Sequence, residues 1–295
     1  MRPGTPEHRE LFCRTFIATH NPFEPEALPW PELDELHLGR LRAFPLWSYA
    51  RSIEQRAGRM VSAFAQTLDD PLIREAVALQ GVEETRHGRL MAHVTRRYGI
   101  DVPDLAIPDP PARREDWMVF GFGECTDSFV GFGAFAIARR KGLFPESLMR
   151  IFDDVLFEEA RHITFFINWW RYELARAGRD GLLSRASESV RYHARAVVGT
   201  AQGGADVPQL PEMSPEQIKA MIGDVTPVMF LEAALAENRR HMARLDRRLI
   251  KPRLMPGLAT ALLLALRMLP PRADSAATSS PRPLRAAQDD ERSAA

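Results

Sequence analysis

Two stretches of the chain place their core-type positions alternately four and three residues apart, the repeat of one face of an α-helix. In the first, Ile73, Val77, Gln80, Glu84, His87, Met91 and Val94 succeed one another at that spacing. In the second, Leu148, Phe152, Val155, Glu159, His162, Phe166 and Trp169 do the same. Each stripe carries one Glu and one His three residues apart. Gln80, one turn before Glu84, is the only other polar member and reads as a break in the stripe. A helix brings residues i and i+3 to one face, so each pair presents a carboxylate and an imidazole together. These pairs sit on faces that should be buried, and a buried carboxylate needs a proton, an ion pair or a metal. The placement favours a metal.

The two pairs belong to repeated strings, Glu83-Glu84-Thr85-Arg86-His87 and Glu158-Glu159-Ala160-Arg161-His162, set 75 residues apart. Two further helical patterns accompany them. A helix is expected from Pro45 to about Leu68, with a stripe of Trp47, Ala50, Glu54, Ala57, Val61, Phe64 and Leu68. Glu54 is the only acid in that helix, and a surface pair with Arg51 or Arg56 fits the periodicity poorly. Asp69-Asp70-Pro71 makes a turn and caps the next helix, which should end at Gly99. Glu54 and Glu84 each stand 14 residues from that turn, so in an antiparallel pair they share a height, roughly 21 Å along the axis. The proline-rich stretch 100–113 spans roughly 40 Å if extended, enough to return the chain along the bundle. The second and third helices then run parallel.

The third helix, about Arg114 to Lys141, bears Glu124 near Trp117, Phe120, Gly131 and Ala138. Its glycines, Gly121, Gly123, Gly131 and Gly133, fit either close helix packing or space beside a metal. The fourth helix opens at Pro145 and runs to about Ala177. Together the four helices bring Glu54, Glu84, His87, Glu124, Glu159 and His162 to one level. Hard oxygen donors with two imidazoles suit iron or manganese better than structural zinc or calcium.

The ordered set Glu, Glu-x-x-His, Glu, Glu-x-x-His resembles the ferritin-like di-iron carboxylate superfamily over residues 45–177. The string Glu83 to Gly88 is similar to the motif of acyl-carrier-protein desaturases. The doubled acid-acid-x-Arg-His also resembles the hydroxylase subunit of bacterial multicomponent monooxygenases. The resemblance implies an all-α four-helix bundle with one long crossover, holding two irons or a manganese–iron pair with O2 as co-substrate. It implies that Glu54 and His87 serve one metal, Glu124 and His162 the other, with Glu84 and Glu159 as bridges. It implies further that Glu83 orients His162 and Glu158 orients His87, with Arg86 and Arg161 balancing charge. A solvated face is the alternative for those four residues. An oxygen-handling hydroxyl is common on the third helix of the family, which makes Asp127 and Ser128, one turn beyond Glu124, catalytic candidates beside Glu124 itself. The chain is shorter than those desaturases. Where arylamine N-oxygenases carry an added histidine ligand, it has Val155.

The reaction implied is hydroxylation, desaturation or N-oxidation of a small organic or carrier-bound substrate, with an electron-donor protein as a further partner. A ferroxidase is one alternative, and a non-catalytic helical scaffold with buried ion pairs is another. Lys plus Arg and Asp plus Glu both number 39, which gives no argument for nucleic acid. Only Cys13 and Cys125 occur, excluding a disulfide framework, and Cys125 reads as buried filler. No secretory signal opens the chain, so a cytoplasmic protein is expected.

Outside the bundle, residues 1–44 read as an irregular arm packed on it, carrying Phe16, Phe23 and Trp30. Residues 178–270 are expected to be accessory helices that build a substrate pocket or an interface. Among them, Ser214-Pro215-Glu216-Gln217 reads as a capping box and Thr226-Pro227 opens a helix to about Leu249. His241 and Glu237, among several arginines, read as a solvated basic face, and Tyr192 and His193 as ordinary helix residues. The apolar run 254–269 is too short to span a membrane. Packing on the body, a homodimer contact, and peripheral membrane contact through 239–269 are its three readings. Residues 271–295 read as a disordered tail.

Overall fold

The structure, a computed structural model, describes residues 2–103, 112–202, 214, 219 and 223–268. The capping box at 214–217, most of the proline-rich return stretch and the tail 271–295 fall largely or wholly outside the described residues. Among those residues the chain is all-helical, with no strand.

Four long helices carry the motifs: α3 (Trp47–Ala65), α4 (Pro71–Arg97), α5 (Arg114–Arg140) and α6 (Glu146–Arg176). Local chemistry sets their ends. Asp70 accepts from the amides of Leu72 and Ile73, and Pro71 follows where no amide donor is needed. Gly99 and Gly142 take φ of 61° and 59° just past α4 and α5, a conformation that favours glycine. The short link from Ala65 to Pro71 folds α3 back on α4, and small residues let the two helices touch closely. A Cβ on Gly58 would meet Thr85 Oγ1 at 2.4 Å, and one on Gly81 would meet Ser62 Oγ at 2.4 Å. The interior is apolar and aromatic. Phe64 stacks on Trp117 at 5.0 Å, while Trp117 and Phe122 each meet Phe166 edge-on.

Two of the four glycines of α5 mark close packing: a Cβ on Gly121 would sit 2.2 Å from the Phe166 ring, and one on Gly133 would sit 2.9 Å from Ala234. At Gly131 a Cβ would meet none of the described residues within 4 Å. The second face of α5 is covered by α7 (Leu182–Gln202) and α8 (Pro227–Ala243), and α9 (Leu254–Met268) lies against α8 and α5. Thr226 caps α8 by accepting from Met229 N.

Two expectations are corrected. Residues 1–44 are not irregular: α1 (Pro6–Ala18) and α2 (Glu35–Ala43) lie within them. Thr5 caps α1, Pro6 starts it, and His8, Leu11, Phe12 and Phe16 form its buried stripe against α4 and α6. The prolines that break a long helix fall between α1 and α2. Nor does His241 lie on a solvated face. It is fully buried and stacked on Phe132 at 4.6 Å, because α8 turns Ala234, Asn238 and His241 toward the body and leaves Arg239 and Arg240 outside. Burial, with Arg240 and Arg244 nearby, pushes its pKa down to about 4.

On α9, Ala259 and Leu263 are buried, while Leu258, Leu262, Leu264 and Met268 are exposed. Among the described residues no helix is long and apolar enough to cross a membrane.

Candidate metal centre

Helices α3, α4 and α6 bring Glu54, Glu84, His87 and Glu159 together, with one ligand atom from each within 4.8 Å of the others. His162 adjoins the same group: its Nδ1 lies 3.0 Å from Glu84 and 3.6 Å from Glu159. His87 Nδ1 lies 3.1 Å from Glu159, 3.6 Å from Glu54 and 3.7 Å from Glu84. Glu84 and Glu159 therefore each stand between both imidazoles, whereas Glu54 serves His87. The two rings are 5.8 Å apart. From α5, Glu124 is close enough to feel the charges of Glu159 and Glu84, but it is not one of the four residues that converge.

The opposite edge of each imidazole is fixed. His87 Nε2–H donates to Glu158 at 2.8 Å, and His162 Nε2–H donates to Glu83 at 2.8 Å. Each motif thus orients the histidine of the other, crossing from α4 to α6 and back. Arg161 donates to Glu83 at 2.8 Å and Arg86 donates to Glu158. All four residues are buried, which excludes a solvated face.

The arm supplies contacts that the sequence did not announce. Arg161 also donates to the Phe16 carbonyl at 2.6 Å and to Thr19 Oγ1 at 2.9 Å, with Phe16 stacked 4.4 Å from its guanidinium. Phe23 lies 4.1 Å from the Arg86 guanidinium. His20 Nδ1 is 2.5 Å from Glu83, and His20, Glu83 and Glu158 themselves converge within 4.8 Å. Two guanidiniums already balance those carboxylates, so this outer group needs no ion. His20 lies beyond the end of α1, where no helical period marks it as inward-facing.

The electrostatics follow from enclosure. Burial would strip charge from both imidazoles. Against it, the hydrogen bond to Glu158 and the carboxylates of Glu159, Glu54 and Glu84 hold His87 charged well above its ordinary pKa. His162 behaves likewise, through Glu84, Glu159 and Glu83. Burial and the neighbouring acids raise Glu54 to about 7 and Glu124 well above the carboxylate range. Although burial opposes it, the imidazoles hold Glu84 below its ordinary value and Glu159 well below. Without a metal, the centre keeps itself neutral by retaining protons.

Those protons are poorly placed. Neither His87 Nδ1 nor His162 Nδ1 has a hydrogen-bond partner, and neither does Glu159 Oε2, although all three are buried. Two inward-facing nitrogens without partners, ringed by carboxylates and with their outer edges fixed, fit divalent cations with mixed N/O preference.

Asp127 and Ser128 stand outside this convergence. Asp127 is solvent-accessible yet hemmed in by protein, and desolvation together with the Glu159 charge raises it to about 6. Ser128 is buried with no partner for its Oγ. Cys125 is buried, and desolvation pushes its thiol far up, as for an inert core cysteine.

No protein-family model, curated protein or solved structure matches this chain.

Proposed function

We propose that the chain is a ferritin-like di-metal carboxylate oxidoreductase, which uses two irons or a manganese–iron pair and O2 to oxidise an organic molecule. The observation that carries the reading is the pair of buried Nδ1 atoms, close to shared carboxylates yet making no aligned hydrogen bond, each imidazole held from behind by a glutamate of the other motif. In this reading Glu54 and His87 hold one metal, Glu124 and His162 the other, and Glu84 and Glu159 lie between them. Metals of this kind supply Lewis acidity and the electrons for oxygen reduction.

The protein's own residues do the rest. Glu83 and Glu158 fix the tautomer and direction of the imidazoles, and carboxylates that retain protons in the metal-free centre release them as ligands. Phe16, packed 5.9 Å from His162, helps to close the outer side against water. An organic substrate is favoured over iron itself by a large cleft bordering the turn of α5 that bears Glu124.

The test is anaerobic loading with ferrous iron, metal analysis, then exposure to O2 with optical and Mössbauer spectra. Two irons per chain with a coupled diferric signature are expected. A protein that folds but retains no stoichiometric iron or manganese is a helical scaffold instead. Oxidised iron as the sole product across a broad substrate screen points to a ferroxidase.

A further inference from the structure

We propose that the cleft between α5, α6, α7 and the segment 247–255 binds an organic anion with an apolar body, and that this anion is the molecule oxidised. The first half stands on the cleft alone; the second rests on the metal-centre reading above.

The cleft encloses about 870 Å³, within the range of small-molecule sites. Its apolar wall includes Phe122, Ile167, Trp170 and Leu249, all buried or nearly so. Among the described residues no acidic side chain lines it, while six cationic ones do. Some of these are already engaged: Arg171 is paired with Asp180 and Arg248 with Asp246, and Lys251 donates to the Asp246 carbonyl. Arg185, Arg247 and Arg253 have no acidic partner among the described residues. Burial lowers Lys251 to about 8, a cost that a bound anion would relieve.

An unused polar group lies there too. His193 Nδ1–H donates to the Ser189 carbonyl at 2.8 Å, and its buried Nε2 has no hydrogen-bond partner among the described residues. A concave apolar wall bordered by unbalanced guanidiniums recognises a carboxylate or phosphate carried on a hydrocarbon. Cys125, the residue after Glu124, lines the cleft, so the bound molecule lies against the turn of α5 that carries Glu124.

The experiment is calorimetric titration of the full-length, metal-free protein with decanoate, decyl phosphate and 1-decanol. Both anions are expected to bind at least about ten-fold more tightly than the alcohol. Arg185→Gln combined with Arg253→Gln should remove most of that preference and leave 1-decanol unaffected. Ala186→Trp, at an exposed lining position, should block all three ligands. Equal affinity for decanoate and 1-decanol, or an unaltered preference in the arginine variant, overturns the proposal.

The substrate assignment is tested separately, in iron-loaded protein, by whether decanoate accelerates O2 consumption and yields an oxidised product. If decanoate binds but does neither, the cleft is a ligand site and the substrate half is lost. If iron fails to load, the binding result stands and the metal reading fails.

Discussion

Replacing Glu83 by Gln tests the crossed bracing of the two motifs. Glu83 is fully buried and receives Arg161 and His20 on Oε1 and His162 on Oε2. A glutamine keeps the shape, but its NH2 must face either His162 Nε2–H or the Arg161–His20 pair, donor against donor. It also leaves the Arg161 guanidinium buried without its counter-charge. Breaking a buried pair costs about 3–5 kcal/mol. Arg161 retains the Phe16 carbonyl and Thr19, which places this case near the low end, about 3 kcal/mol. For a chain of this size that lowers the melting temperature of the metal-free protein by roughly 5 °C.

Loss of the fixed imidazole should also weaken metal binding by about 10–100-fold, read by Mn(II) titration with paramagnetic resonance detection. The pH dependence has a definite sign. Although burial opposes it, His162 and Arg161 hold Glu83 well below the ordinary range. Its stabilisation is therefore complete above the unfolded value of about 4.3 and is lost as pH falls below that. The gap between wild type and Glu83→Gln should narrow in acid. Glu158→Gln should behave alike, and Glu75→Gln, at an exposed position, should shift stability by less than about 0.5 kcal/mol. A Glu83→Gln protein that melts within about 2 °C of wild type and binds Mn(II) equally well would refute the bracing argument.

His87→Ala or His162→Ala should reduce loading below two metals per chain by elemental analysis, since each removes an imidazole and leaves carboxylates less compensated. Metal affinity should rise with pH through about 7, because Glu54 titrates there and His87, His162 and Glu124 hold their protons above their ordinary values. Calorimetry in buffers of differing ionisation enthalpy should find net proton release on loading at pH 7. His241, lowered to about 4 by burial and Arg240, withholds a proton that the unfolded chain binds near 6.5, so acidification below that value favours unfolding. His241→Gln should melt with a shallower loss of stability between pH 7 and 5 than wild type, measured by calorimetry.

The motif helices were legible because their period is long and uninterrupted. The stripes through Glu84/His87 and Glu159/His162 bury on α4 and α6 as their spacing indicates, and Asp70 and Gly99 end α4 where their chemistry requires. The arm was not legible as helix. Its prolines dominate the composition, and the moderate stripe of α1 is short enough to be lost beside them. His241 misled for another reason. Charge density describes a sequence window, whereas burial is decided residue by residue, and Arg239, Arg240 and Arg244 are exposed while His241 between them is buried. Whether Glu83 and Glu158 faced solvent or protein could not be settled by helical period alone. They lie one residue off the apolar stripe, and only the packing of α1 on α4 and α6 encloses them.

That enclosure gives the arm a role beyond cover. Each buried glutamate of the crossed pair carries one guanidinium, and each guanidinium is capped by an aromatic ring from the arm: Phe16 over Arg161 and Phe23 over Arg86. Between them, His20 reaches the point where Glu83 and Glu158 approach each other. The internal repeat of Glu-Glu-x-Arg-His therefore has a matching pair of aromatic caps seven residues apart, on a segment with no repeat of its own. Water admitted here would weaken both ion pairs by raising the local dielectric, and with them the hold on the two imidazoles. The arrangement of the inner carboxylates thus depends on a chain segment that contributes no atom to them. In this protein the precision of the candidate centre is set from outside inward: arm on arginine, arginine on glutamate, glutamate on histidine.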